Sequence, residues 1–226
     1  MRGGALGLSL LLAVAALTPS TASADPRPVS SESRGAPQIA NLDALLGACA
    51  KMPGLAAKFS EEKQIALLAV PLRSGGTLHY TRARGLVRHT AEPSKQSVLV
   101  TDKDLVFWDG KDTKRVSLGS SATLETFARA FSLLLAADRP ALEKSFALSF
   151  RAEDASDGWS LKLTPKGAAL HDVIKGIEIE GHGLTLSMLR VREANGDVST
   201  TRFFAVDTNK RYSDEEANRT FRVPPA

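Results

Sequence analysis

Apolar residues along this chain change their spacing three times, and each change predicts a different kind of element. Ala5 to Leu17 is a run of small and apolar residues broken only by Gly7 and Ser9. Ile39, Leu42, Leu45 or Leu46, and Cys49 recur at helical spacing, which predicts a helix to about Met52, stopped by Pro53-Gly54. From Leu55 the pattern turns to short extended runs set off by turn residues: Leu55 to Val70, Gly76 to Arg82, Gly85 to Thr90, Ser97 to Thr101 and Asp104 to Trp108. In the second of these, Leu78, Tyr80 and Arg82 alternate with Thr77, His79 and Thr81, the period of a strand with one covered face. Leu124, Phe127, Ala128, Phe131, Leu134 and Leu135 then line one side of a second helix, ending at Asp138-Arg139-Pro140. Further strands are expected at Ser145 to Ala152, Trp159 to Thr164, Ile177 to Glu180, Leu184 to Glu193 and Val198 to Val206, the last two joined by a tight turn at Asn195-Gly196. About ten or eleven antiparallel strands with two or three helices and no internal repeat predict a single α+β domain over 38–226, its helices on one face of a curved sheet.

The N-terminal run has the order of an export signal. Met1-Arg2-Gly3-Gly4 gives a short positive start, and Ala22-Ser23-Ala24 closes the segment as an A-x-A site. The apolar stretch falls short of the roughly 20 residues that span a bilayer, so residues 1–24 are expected to be a cleaved signal peptide. Residues 25–37 are rich in Pro, Ser, Arg and Glu and are expected to form a flexible leader. An exported chain with one cysteine suits the periplasm. Leu46-Gly47-Ala48-Cys49 has the order of a lipoprotein box but lies in the first predicted helix, where Cys49 reads as a small buried residue.

Composition and motifs exclude more than they assign. With 43% hydrophobic and 24% charged residues the chain supports an ordinary packed core. A single cysteine rules out an internal disulfide and multi-cysteine metal sites. A net charge of +4 is spread rather than gathered in blocks, and the tryptophans and tyrosines do not interleave with a basic patch, so no nucleic-acid partner is expected. Neither Ser74-Gly75-Gly76 nor Gly119-Ser120-Ser121 is a nucleophile elbow, and none of the four histidines stands in H-E-x-x-H; they read as exposed. The pairs Glu61/Glu62 and Glu178/Glu180 read as solvated strand faces rather than as glycosidase carboxylates. No enzymatic activity, metal or cofactor is expected. A sheet with one apolar face beside a very apolar helix is either a plain core or the wall of a cavity for a greasy ligand, and alternation alone does not separate the two.

Several strings, in order, resemble the LolA family of periplasmic lipoprotein carriers. They are Phe59-Ser60-Glu61-Glu62-Lys63, Gly76-Thr77-Leu78, Pro93, Val98-Leu99-Val100-Thr101-Asp102, Phe107-Trp108, Leu163-Thr164-Pro165-Lys166 and Phe221-Arg222-Val223-Pro224-Pro225. The resemblance implies an unclosed antiparallel β-barrel around a hydrophobic cavity, covered by helices that form a lid. It implies a monomer that takes acylated lipoprotein, or other lipid-like cargo, from an inner-membrane exporter toward an outer-membrane receptor. For such a cavity, alternation on the early strands nominates Leu78, Tyr80, Leu86, Val98, Val100, Val106 and Trp108 as inward-facing. On the lid helix Phe127, Phe131, Leu134 and Leu135 are nominated with them. A lid-locking arginine of the family falls on Arg82, counted from Gly76 and Leu78, with Arg84 and Arg88 as alternatives. Ala83 stands where the family has proline, Arg88 where it often has an aromatic residue, and Thr101-Asp102-Lys103 where it has Asp-Gly. These departures suggest a divergent branch with its own cargo. The alternative function on the same fold is a sensing module that binds a lipid or lipoprotein and reports it to a membrane partner.

Overall fold

The computed structural model describes residues 39–120, 122–153 and 157–223. The predicted signal peptide and leader lie outside the described residues. Helix α1 (Leu42–Lys51) starts where Asn41 accepts the Ala44 N–H on its side-chain oxygen, and it buries Leu42, Leu45, Leu46 and Cys49. Six strands follow as a meander: β1 (Leu55–Gln64), β2 (Leu72–Thr81), β3 (Gly85–Glu92), β4 (Gln96–Val100), β5 (Asp104–Trp108) and β6 (Thr113–Ser117). Helices α2 (Ala122–Leu135) and α3 (Arg139–Ser145) lead to β7 (Phe146–Ala152) and β8 (Gly158–Pro165). The short α4 (Ala168–His171), strands β9 (Ile174–His182), β10 (Thr185–Glu193) and β11 (Val198–Asp207), and helix α5 (Asp214–Thr220) complete the described chain.

All eleven strands form one antiparallel sheet in the order β6-β5-β4-β3-β2-β1-β11-β10-β9-β8-β7. β1 and β11 are neighbours at its centre, while β6 and β7 are free edges, so the barrel is not closed. The chain passes from one edge to the other through α2 and α3, and α2 packs against α1, α3 and α4 over the concave face.

Several elements differ from the sequence reading. β1 ends at Gln64 instead of running to Val70, because the Leu68 N–H bonds back to the Ile65 carbonyl and Gln64 Nε2 donates to the Leu68 carbonyl. The resulting loop leaves Leu67, Leu68 and Val70 on the surface, at 94%, 46% and 72% exposure. Pro140 does not end a helix but opens α3, where it needs no N–H of its own and Asp138 caps the first turn through the Ala141 N–H. β6 is a strand with no buried residue, which alternation cannot reveal. α5 is polar apart from Ala217 and packs with Phe221, Tyr212, Val87 and Leu99 on the outer face of the sheet.

That outer layer holds two histidines expected to be exposed. The Thr220 carbonyl accepts from His89 Nε2 at 2.7 Å, which leaves Nδ1 to accept the Ser97 hydroxyl. The Tyr212 hydroxyl donates to the Leu55 carbonyl at 2.9 Å and accepts from His79 Nδ1 at 2.9 Å. α5 and the segment before it are thus fastened to the sheet by side chains from β3 and β2.

Candidate functional site

Residues opposite one another in an antiparallel ladder share a face, so the register defines the concave wall. Leu105, Val100, Leu86, Tyr80 and Leu55 form one row across the sheet, and Phe107, Val98, Arg88, Leu78 and Ala57 form the next. On the other half, Glu61, Thr201, Leu189 and Ile179 form a row, with Lys63, Ser199, Val191 and Ile177 beside it. Between this wall and α2 lies a cavity of about 130 Å³. Its lining is Phe59, Glu61, Leu78, Leu86, Arg88, Val98 and Val100 from β1 to β4, Ile177, Leu189, Val191, Ser199, Thr201 and Phe203 from β9 to β11, and Ala128, Ala130 and Phe131 from α2. The Phe131 ring lies parallel to that of Phe203, with centroids 6.4 Å apart, and joins the helix to β11.

Of the nominated residues, Leu78, Leu86, Val98, Val100 and Phe131 line this cavity. Val106 and Trp108 do not. Their neighbours Leu105 and Phe107 take the inward positions of β5, and Val106 pairs with Leu99 and Arg115 on the opposite face. Every residue from Leu105 to Trp108 is apolar, so period two could not choose a face there. Tyr80 faces inward but lies one row toward α1, opposite Leu55. Leu134 and Leu135 pack with Leu45, Cys49, Met52, Leu55 and Trp159 in a smaller pocket under α1 rather than in the main cavity. Phe127 belongs to α2, but its side chain is outside the described residues. Burial pushes the Cys49 thiol up to about 11, so it stays protonated and unreactive at neutral pH.

The three candidate arginines have three different partners. Arg82 Nη1 donates to the carbonyl of Ala136, the residue after α2, at 3.1 Å. Arg84 Nη2 donates to Asn218 Oδ1 on α5 at 2.7 Å. Arg88 lies inside the cavity, where Nη1 and Nη2 reach the two Glu61 carboxylate oxygens at 3.0 and 3.1 Å. Its guanidinium lies 4.2 Å from the centroid of the Phe59 ring. Gly76 stands opposite Phe59 in the register, and a side chain there would collide with the His89 backbone of β3. Glu61, read from sequence as solvated, is 7% exposed and also accepts the Thr201 hydroxyl at 2.7 Å.

Residues 34–221 match the family model of outer membrane lipoprotein carrier protein LolA-like proteins. The chain belongs to that family. Among solved structures, this LolA-like chain is similar to a LolA superfamily protein from Nitrosomonas europaea (12% identity, 77% of this chain and 96% of that one, TM-score 0.42). It is similar as well to a DUF1329 family protein from Desulfovibrio piger (10%, 78% and 93%, TM-score 0.47). A third is a putative outer membrane lipoprotein-sorting protein domain from Vibrio parahaemolyticus (8%, 79% and 95%, TM-score 0.43). Comparison with curated proteins gives no match.

In this LolA-like chain the polar part of the cavity is what sequence reasoning missed. Glu61 shares the parity of Phe59, and Arg88 that of Leu86, so both charges sit on the inward face of strands with apolar neighbours. That parity was the available signal. Among the described residues no helix is long and apolar enough to cross a membrane, and no cluster of His, Cys, Asp and Glu could hold a metal ion.

Proposed function

We propose that this chain is a periplasmic carrier that shelters the acyl chains of a lipoprotein, or of a related hydrophobic molecule, under α2 and shuttles them from the inner to the outer membrane. An inner-membrane exporter would load it and an outer-membrane receptor would unload it. The observation that carries the reading is a largely apolar cavity between the concave sheet and a helix whose far end is tied to the sheet by Arg82. A 16-carbon chain left in water costs on the order of 12 kcal/mol, so a carrier must supply apolar wall and later withdraw it. An engineered apolar cavity of roughly 150 Å³ holds benzene. The cavity here is of that size, and an acyl chain therefore enters by displacing α2, with the Arg82 to Ala136 bond broken in the loaded state.

The test is native mass spectrometry with lipid extraction on protein purified from its own periplasm without detergent. A stoichiometric acylated ligand is expected, and its mass names the cargo. Protein that comes out empty and also fails to bind fatty-acyl probes would overturn the reading and leave the apolar face as core.

A further inference from the structure

On the outer side of the sheet, away from the apolar cavity, a groove of about 600 Å³ opens between the β2–β3 turn, the β4–β5 turn and the end of α5. Its floor is apolar: Ala217 and Phe221 are buried there, with Leu99 beside them. Its rim is exposed and charged, with Arg82, Arg84, Lys103 and Arg222 against Asp102. Asp104 also borders the groove, but Arg115 Nη1 already holds its carboxylate at 2.7 Å. None of the rim cations has a carboxylate within ion-pair distance among the described residues. Arg82 donates instead to the Ala136 carbonyl and Arg84 to Asn218 Oδ1, both neutral acceptors. Arg82 spends one nitrogen on that bond, so the rest of its fork of donors stays open. Cations gathered around a recessed apolar floor repel one another and attract an anion.

From this we infer that the groove docks an extended acidic segment of a partner protein, and that docking draws Arg82 off Ala136 and loosens the end of α2. Carboxylates on such a segment meet the rim cations, while an aliphatic side chain between them covers Leu99 and Phe221. The cations stand on three separate elements around a space this large, so a chain carrying several carboxylates meets them together, whereas one phosphate group meets only part of them. A bilayer surface reaches the rim without covering the recessed floor. A carboxylate bonds a guanidinium more strongly than a neutral carbonyl does, which sets the Arg82–Ala136 bond in competition with the partner. The groove is separate from the cavity, and its occupant does not depend on what the cavity holds.

The experiment is an NMR titration of the isotope-labelled purified protein with the acidic peptide acetyl-DLEDLE-amide at low ionic strength. Amide shifts are expected at residues 82–85, 101–104 and 218–222. Hydrogen exchange is expected to quicken at the Ala136, Ala137 and Asp138 amides, which bond back to the last turn of α2. The neutral peptide acetyl-NLQNLQ-amide is expected to bind about tenfold more weakly or less. Lys103→Glu with Arg222→Glu reverses the rim cations that hold no side-chain bond among the described residues, so it should keep the wild-type thermal midpoint and weaken the acidic peptide about tenfold. Lys103→Arg with Arg222→Lys should keep the wild-type affinity. Equal binding of the two peptides, shifts centred elsewhere, or unchanged affinity in the Glu variant would overturn the docking inference. So would the same shifts produced as readily by inorganic phosphate or by phosphatidylglycerol vesicles. Binding in the groove with unchanged exchange at Ala136 would overturn its link to α2.

Discussion

Arg82, just beyond β2, and Ala136, just beyond α2, are joined by one exposed hydrogen bond across 54 residues of sequence. An exposed bond of this kind contributes little to stability, about 0.5–1 kcal/mol, yet it joins the sheet directly to the end of the helix that covers the cavity. Arg82→Leu should therefore shift the thermal midpoint by no more than a few degrees and still admit acyl cargo, but release it poorly. Transfer of a fluorescent acyl probe from the protein to vesicles measures this. Transfer at the wild-type rate would remove Arg82 from any lid role.

Glu61 and Arg88 make the opposite prediction, a large effect on stability. Glu61→Gln leaves the Arg88 cation in the cavity without its counter-charge. The Arg88 side chain retains 20% exposure, so the cost should fall near the low end for broken buried pairs, about 2–4 kcal/mol. For a chain of this length that is a drop of roughly 5–12 °C in thermal midpoint. Adding Arg88→Met should recover most of it by replacing the pair with apolar volume. A double variant no more stable than Glu61→Gln would show that the pair is not the source of the loss.

His79 makes stability depend on pH in a defined window. Burial, then the nearby His89 and Lys210, lower its pKa to about 4, against an opposing effect of Glu216. The unfolded chain, with histidine near 6.5, binds the extra proton first, so the folded state holds its full advantage above about pH 6.5 and loses it as pH falls toward 4. The slope from this one group is at most about 1.4 kcal/mol per pH unit. Urea unfolding at several pH values between 6.5 and 5 should show a shallower decline for His79→Gln than for wild type. Identical slopes would show that another group carries the acid sensitivity.

Cys49 should be silent toward thiol reagents. Its thiol is 5% exposed and its pKa stands at about 11, so labelling near pH 8 should proceed only as fast as the protein opens, and become rapid in denaturant. Rapid stoichiometric labelling of native protein would mean that α1 does not stay packed on the sheet.

How far the fold could be read from sequence depended on whether polar residues marked one face. In β2 the contrast of Leu78 and Tyr80 with Thr77 and His79 located the inward side, and in β5 the absence of any polar residue from Leu105 to Trp108 hid it. α5 escaped notice because it buries only Ala217, although Ser213 three residues before Glu216 has the spacing of a capped start, and the Ser213 hydroxyl does accept the Glu216 N–H. Asp138 and Pro140 were read as a stop when together they make a start. The Glu61–Arg88 pair needed a register that no single strand contains, since 27 residues separate its members and only the pairing of β1, β2 and β3 brings them together.

The central position of β1 and β11 also governs the order of assembly. β1 through β6 can zip together as a local meander, and β7 through β11 as another, but the seam between the two halves is made from the first strand of one and the last strand of the other. Phe59 meets Phe203 and Glu61 meets Thr201 only across that seam. Contacts this distant in sequence are slow to form. A chain delivered from its N-terminus therefore has no middle to its cavity wall until Val198–Asp207 has emerged, and the apolar wall stays in two unfinished halves until the final clasp.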